Sequence, residues 1–329
     1  MTVGARAGKV PPMSRPAPAT PSATAADQAP RERREHSYVL NGQRTIAPPI
    51  AGGLYLVATP IGNLRDITVR ALEVLAAADL IACEDTRVSR KLTEHYGIAT
   101  PRTPYHDHNA ADARPMLLAH LANGATIALI SDAGTPLVSD PGYKLARAAR
   151  EAGVSVTALP GASAVLAALS VSALPTDHFF FEGFLPAKER ARRARIAALK
   201  RIPATLVLFE SGPRIAATLG DLAAELGPRE ATICRELTKL HEEARRGDLA
   251  TLAHDYAAGA ETRGEFVLVI APPAEDVGAS ADVDGLLRAA LTRLSVKEAV
   301  AEVAAVTGAP RRAVYQRALA LDKERRHGR

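Results

Sequence analysis

From Leu54 onward, short runs of apolar and β-branched residues alternate with stretches in which apolar residues recur every three or four positions. The first kind reads as buried strands and the second as helices with one face on a core. Their alternation predicts α/β architecture, with parallel sheets and crossover helices. Leu54 to Ala58 is a strand broken by Thr59, Pro60, Ile61, Gly62 and Asn63, after which Ile67, Ala71, Val74, Leu75 and Ala78 share one helical face. Leu80 to Cys83 follows as a strand, then a helix carrying Val88, Leu92 and Tyr96 that Gly97 stops. Asn109 with Asp112 resembles a capping box for a helix reaching Leu121. Ala125 to Ile130 is a continuous apolar run, and beyond its loop Asp140 reads as an N-cap with Pro141 in the first turn of a helix that holds Leu145 and Ala149. Val154 to Leu159 is the next strand, and Pro160, Gly161, Ala162 and Ser163 open another helix.

Around Pro175 the pattern restarts. Phe179 to Phe184, Thr205 to Phe209, Ala231 to Cys234 and Phe266 to Ile270 read as strands of a second sheet. The expected organisation is an α/β domain over 51–174, a second over 175–272, a linker opened by Pro272 and Pro273, and a helical module over 282–325. In that module Ser295 and Glu298 form a capping box, Gly308 ends one helix and Pro310 starts the next, a helix-turn-helix pattern. Two readings of the module stand side by side: a contributor of RNA affinity, or a helical cap that stabilises the second domain with Leu286, Leu291, Val300 and Leu319 packed on the body. Residues 1–50, rich in Ala, Pro, Thr and Arg, read as a disordered basic tail, with Met13 a second possible start.

Composition narrows the class without naming a function. The chain has 329 residues, 23% charged and 47% apolar, as expected of a soluble globular protein. No apolar run is long enough to span a membrane and no secretory leader is visible, so a cytosolic location is expected. Cys83 and Cys234 lack metal or disulfide spacing and read as inert core thiols. The net charge is +5, but residues 1–50 hold seven Lys and Arg against three acids, or +4, which leaves the body at +1. A polyanion site must therefore come from local clusters.

The candidate chemistry lies in the loops after the strands. Neither GxxxxGK nor GxGxxG occurs. Instead TPIGN, CEDTR, SDAGTP, LPGASA and FESGPR each follow a strand, and parallel sheets would gather such loops along one edge. The stretch IALISDAGTPLVSDPG, Ile127 to Gly142, is the densest in turn formers and is the main ligand-loop candidate.

Taken together, VATPIGNL, CEDTR, YHDHN, SDAGTPLVSDPG, FEGFLP and RELTKLHEE resemble the tetrapyrrole-methylase superfamily, and within it the ribosomal RNA small-subunit methyltransferase I family, over about Leu54 to Ile270. The C-terminal helices are similar to that family's last module. The resemblance implies two α/β domains of the tetrapyrrole-methylase type with S-adenosylmethionine folded between them. It implies 2'-O-methylation of a cytidine in the decoding centre of 16S rRNA, met in the 30S subunit, with no membrane partner; a homodimer is left open. By motif, Pro60 and Gly62 lie beneath the cofactor. Asp132, Ala133, Gly134, Thr135 and Pro136 form its main loop, Pro160, Gly161 and Ala162 a third loop, and Glu210, Ser211, Leu237 and Thr238 the adenosyl side. The family usually reads ESPHR where this chain has Glu210, Ser211, Gly212, Pro213 and Arg214, so no histidine role carries over.

Methyl transfer from a sulfonium is an in-line displacement in which positive charge disappears, so positioning matters more than anion stabilisation. A ribose hydroxyl benefits from a base or acceptor. Glu84 and Asp85 are candidates, with Arg87 as a phosphate or carboxylate partner and a desolvated Lys239 as fallback. The competing reading makes Asp85 a helix N-cap in a surface ion pair. His106, His108 and Asn109 are candidates for RNA contact; a metal is not expected, for want of a third ligand beside the two histidines. Lys188, Arg190, Arg192, Arg193, Arg195, Lys200 and Arg201 face one acid, Glu189, on a helix after FEGFLP and read as phosphate contacts, against the plainer reading of a solvated face. Arg311 and Arg312 are further RNA candidates. Two alternatives stand beside this: a tetrapyrrole C-methylase of the same fold, whose first loop typically reads GPG followed by Asp, and a non-catalytic RNA-binding protein.

Overall fold

The computed structural model describes residues 36–139, 142–274, 283–307 and 309–327. The part of the expected tail that is described is not a tail. Ser37–Leu40 (β1) and Gln43–Ile46 (β2) form an antiparallel hairpin about Asn41 and Gly42, both at positive φ. An Asn-Gly pair supplies the two left-handed residues that a tight hairpin turn needs. Tyr38 and Ala47 bury against the helix Val69–Ala77, and the His36 ring bonds the Ala76 carbonyl at 2.7 Å.

Five parallel strands make the first sheet: Gly53–Val57 (β3), Leu80–Cys83 (β4), Arg102–Pro104 (β5), Thr126–Ile130 (β6) and Val156–Leu159 (β7), in the order β5-β4-β6-β3-β7. Every residue of the central β6 is buried, as expected of a strand covered on both faces, which reads as an unbroken apolar run. One core holds Val57, Leu72, Leu75 and Ile81, and another Leu54, Ile127, Leu129 and Leu145. Each fully buried side chain of this size contributes about 1.5–3 kcal/mol. The parallel arrangement delivers the loops after β3, β4, β6 and β7 to one edge.

Phe179–Phe184 (β8), Thr205–Ser211 (β9), Glu230–Arg235 (β10), Glu243–Asp248 (β11) and Glu265–Ile270 (β12) make the second sheet, ordered β11-β10-β12-β9-β8. It is mixed rather than parallel as expected, because only β8 and β9 run together and the other three pairings are antiparallel. Alternation along β9 sends Leu206 and Leu208 into one core and Val207 into another. That last core also takes in Ile61 from the loop after β3 and Val165 and Leu169 from the helix after β7, so the two sheets are joined through apolar contact.

Among the described residues the C-terminal module has three helices, Val283–Leu291, Val296–Thr307 and Arg311–His327, around a core of its own that includes Leu287, Leu291, Val300, Val303 and Val314. Leu291 and Val300 are buried in this core of the module itself, whereas Leu286 and Leu319 are exposed. The Ser295–Glu298 capping box is formed in both directions. One expected cap is not. Asn109 turns its side chain back to the His106 amide and the Pro104 carbonyl instead of capping the helix Ala110–Ala122. The helix Tyr143–Glu151 is preceded by Gly142 without a side-chain cap. Asp140, Pro141 and Gly308 lie outside the described residues. No described helix is long and apolar enough to cross a membrane.

Candidate active site

The loops after β3 and β6 are latched together. Thr59 and Gly134 exchange backbone hydrogen bonds of 2.9 and 3.0 Å, and the Thr59 hydroxyl donates to the Ser131 carbonyl. Gly134 has φ +83, a conformation glycine adopts without steric cost. Strain accumulates on both sides of the same space. Leu137 and Ser139 from the first sheet, and Glu236 and Thr238 from the second, all have positive φ. For a β-branched threonine this is an outlier, held by the structure around it, and such residues cluster at active sites and ligand clamps.

Between these loops lies a cavity of about 360 Å³, large enough for one cofactor-sized ligand. Asp132 to Thr135 with Ile61 make its first-sheet wall, and Glu210, Ser211, Glu236, Leu237 and Lys239 line it from the second. Of the residues expected in cofactor binding, Asp132, Ala133, Gly134, Thr135, Glu210, Ser211 and Leu237 line the cavity itself. The others support it. The Ala162 carbonyl accepts from the Thr135 hydroxyl, Gly161 packs on Ala58, and Gly62 lies against the Lys239 stem. Pro136 is buried under the loop, Pro60 is half-buried and Pro160 exposed. Thr238 holds a buried hydroxyl without a partner. Glu210 is buried and already clamped by Thr218, Arg214 and the Ser211 amide, which gives it a structural part. Sequence reasoning missed Phe184, Phe209, Glu236 and Glu265 in the lining. The two glutamates are the counter-ions of Lys239, each 2.8 Å from its ammonium.

The candidate catalytic residues separate under this geometry. Asp85 caps the helix Thr86–His95 and takes a fork of bonds from the Arg87 guanidinium at 2.6 to 3.1 Å. Those bonds, with the Arg87 amide, hold its carboxyl at about 2, so it is ionised and a weak base at neutral pH. The N-cap and ion pair of the plainer reading are both formed by Asp85 and Arg87. Burial works to lower Lys239, but Glu236 and Glu265 outweigh it and hold the ammonium above its ordinary value. Glu84 and Asp132 move the other way. Burial first, then the charges of Asp132 and Asp107, push the Glu84 carboxyl up, and burial pushes Asp132 up while it accepts a 3.1 Å bond from the Asp85 amide.

A pH test follows from the Asp85 position. Its carboxyl is depressed from 3.8 to about 2 on folding, so its contribution to stability is complete above the unfolded value and is lost as pH falls toward 2. Asp85→Ala is expected to melt earlier than the parent at pH 7, with the difference closing between about pH 4 and 2. Melting curves across that range check it; a difference that persists below pH 2 removes the cap-and-pair account.

The expected RNA contacts also divide. Arg192 is buried and bonds Asp221 at 2.7 Å, Arg193 pairs with Glu225, and Arg195 forks onto Glu182. The three arginines thus answer carboxylates of their own domain rather than forming a free cationic face, whereas Lys188 and Arg190 are exposed. His106 has a buried Nδ1 without a partner and its ring lies 6.0 Å from that of His108; Asn109 is spent on the turn. Arg311 and Arg312 are exposed at the start of the helix Arg311–His327. No group of three or more His, Cys, Asp or Glu suited to a metal ion occurs among the described residues. Cys83 and Cys234 are buried free thiols; burial pushes Cys83 up, and Cys234 to about 11.

A parallel sheet and a mixed sheet closing on one cavity define a tetrapyrrole-methylase architecture, and the model of the Tetrapyrrole (Corrin/Porphyrin) Methylases matches residues 53–253. The RsmI C-terminal HTH domain matches residues 277–322. Among solved structures the fold is shared with diphthine synthase (TM-score 0.53, 18% identity, 66% of this chain and 89% of that one) and with the methyltransferase CobJ (TM-score 0.50, 20% identity, 67% and 94%). The proteins named Ribosomal RNA small subunit methyltransferase I of Mesorhizobium japonicum and Escherichia coli O157:H7 are 52% and 45% identical to it, covering 85% and 82% of this chain and 96% and 95% of theirs. The chain belongs to the ribosomal RNA small subunit methyltransferase I family and is an S-adenosylmethionine-dependent methyltransferase.

The residues suit that donor. The cavity has the volume and a backbone-rich wall at Ala133, Gly134 and Thr135, and Thr238, next in the chain to the lining Leu237, holds a buried hydroxyl without a partner. At its first loop the chain carries Thr59, Pro60 and Ile61 where the tetrapyrrole C-methylase pattern has GPG, which speaks against that alternative.

Proposed function

We propose that the chain methylates the 2'-hydroxyl of a cytidine in the decoding centre of 16S rRNA, cytidine 1402, with the 30S subunit as its substrate. The observation that carries this reading is the acidic corner at the ends of β4 and β6. Glu84 and Asp132 both have raised proton affinity there, and Asp132 opens into the donor cavity. When bound, S-adenosylmethionine supplies an electrophilic methyl group. Ala133, Gly134 and Thr135 would hold it against Leu237, while Lys239 stays charged between Glu236 and Glu265 and keeps that wall fixed. Asp132 accepts the ribose proton or orients the hydroxyl. Its elevated basicity suits the task better than the fixed anion of Asp85.

RNA is positioned by groups outside the cavity. Arg311 and Arg312 sit in the first turn of their helix, where the dipole disfavours cations and favours phosphate. Removing the chain beyond Pro273 is expected to leave donor affinity intact and to raise KM for the ribosomal substrate, since phosphate contacts position but do not react. Loss of donor binding in that variant would make the module structural. The activity itself is tested by offering labelled donor with 30S subunits, naked 16S rRNA and a tetrapyrrole precursor, then digesting and identifying the product. Label in a 2'-O-methylcytidine from the 30S sample supports the reading; label only in the tetrapyrrole rejects it.

A further inference from the structure

Strand β8 keeps register with β9 from Phe179 opposite Thr205 to Phe181 opposite Val207, then skips Glu182, so that Gly183 faces Leu208 and Phe184 faces Phe209. One extra residue reverses the side on which everything after it points. Without the skip Phe184 would stand opposite Glu210, whose carboxylate is turned to Thr218 and Arg214; with it, Phe184 stands opposite Phe209 and lines the cavity beside it. The bulge is built in rather than tolerated. Gly183 takes φ +74, the Ser139 hydroxyl lies 3.0 Å from where a Cβ at residue 183 would stand, and the skipped Glu182 is tied by the Arg195 fork.

The ring so aimed is 57% exposed. It rests edge-to-face on Phe209, centroids 5.6 Å apart, and Phe209 rests in turn on Phe181 at 4.9 Å. Val138, itself 41% exposed, lines the same cavity from the other sheet. A rigid, backed aromatic left open at a cavity mouth, at the cost of an exposed apolar surface, is the device by which proteins hold an unstacked base. We propose that Phe184, backed by Phe209, is the platform on which the nucleobase of the target nucleotide stacks, so that its ribose meets the donor cavity. The platform rests on the rRNA reading given above.

Methyl transfer to 30S subunits and donor affinity by calorimetry are to be measured for the parent protein and for Phe184→Ala, Phe184→Leu and Phe184→Tyr. Stacking predicts that Ala and Leu raise KM for 30S by about tenfold or more, that Tyr stays near the parent, and that all four bind donor alike. Equal donor affinity also shows that the variants fold. A parent-like KM in Ala, or rescue by Leu, overturns the platform while leaving the rRNA reading in place; donor affinity lost in Ala assigns the ring to the donor and equally overturns it. No transfer to 30S by the parent protein rejects the rRNA reading, and the platform falls with it.

Discussion

Gly134→Val is expected to lower donor affinity by tenfold or more while the protein stays folded. At φ +83 a β-branched residue costs on the order of 1–3 kcal/mol, and a Cβ would also crowd the Ile61 side chain at 3.3 Å. The chain escapes by moving the loop. That breaks the paired bonds between Gly134 and Thr59 and displaces the wall formed by Asp132 to Thr135. The sheets, whose cores lie elsewhere, keep most of their stability. Titration of donor into the variant measures the loss, with circular dichroism as the folding control. Unchanged affinity would take this loop out of the binding site.

A second large effect is expected at Arg192, on stability rather than on RNA. The Arg192–Asp221 pair joins the helix Glu189–Leu199 to the helix Ile215–Leu226, with side chains only 8% and 15% exposed. Arg192→Ala leaves a carboxylate without its partner in a largely buried place, which costs roughly 3 kcal/mol. For a body of this size that is a fall in Tm of about 6–12 °C. Arg193→Ala removes a pair whose two side chains are both more exposed and should shift Tm by only about a degree or two. Replacing Arg192 and Asp221 together by apolar residues should recover most of the loss. A weakened RNA affinity with unchanged Tm in Arg192→Ala would show the arginine to be free in solution after all.

The pair shows where sequence reading stops. Seven cations in fourteen residues look like a polyanion site, because Asp221, Glu225 and Glu182 lie far along the chain or across a bulge and nothing in the local pattern announces them. Buried strands were legible for the opposite reason: β4, β6, β9 and β12 carry their burial in their own composition, whereas β8, expected to be buried as well, is an edge strand with both ends exposed. Edge strands do not. Strand β11 reads EARRGD, alternating half-buried and exposed, and β5 is three residues long. The hairpin over β1 and β2 had a local signal in Asn41–Gly42, hidden by the proline- and arginine-rich sequence before it. In the site, the motif loops carried the donor wall, but the lining residues Phe184, Glu236 and Glu265 depend on a register skip and on strand neighbours that only the fold supplies. Gly212 is a related case. A Cβ there would stand 1.8 Å from the Thr262 carbonyl, so the family's usual proline has no room unless that loop moves too.

The cavity wall is divided between the two sheets, so a donor bound there as proposed would be a clamp as well as a reactant. A ligand gripped by Asp132 to Thr135 on one side and by Glu210 to Leu237 on the other adds its binding free energy to the seam between the halves. At a hundred times its Kd that is about 2.7 kcal/mol of resistance to their separation. Conversion to the demethylated product changes the molecule gripped, so each turnover resets the strength of the clamp. The seam is tightest before transfer if the donor is held better than its product, and the exchange of one for the other then marks the moment at which the two halves can most easily part.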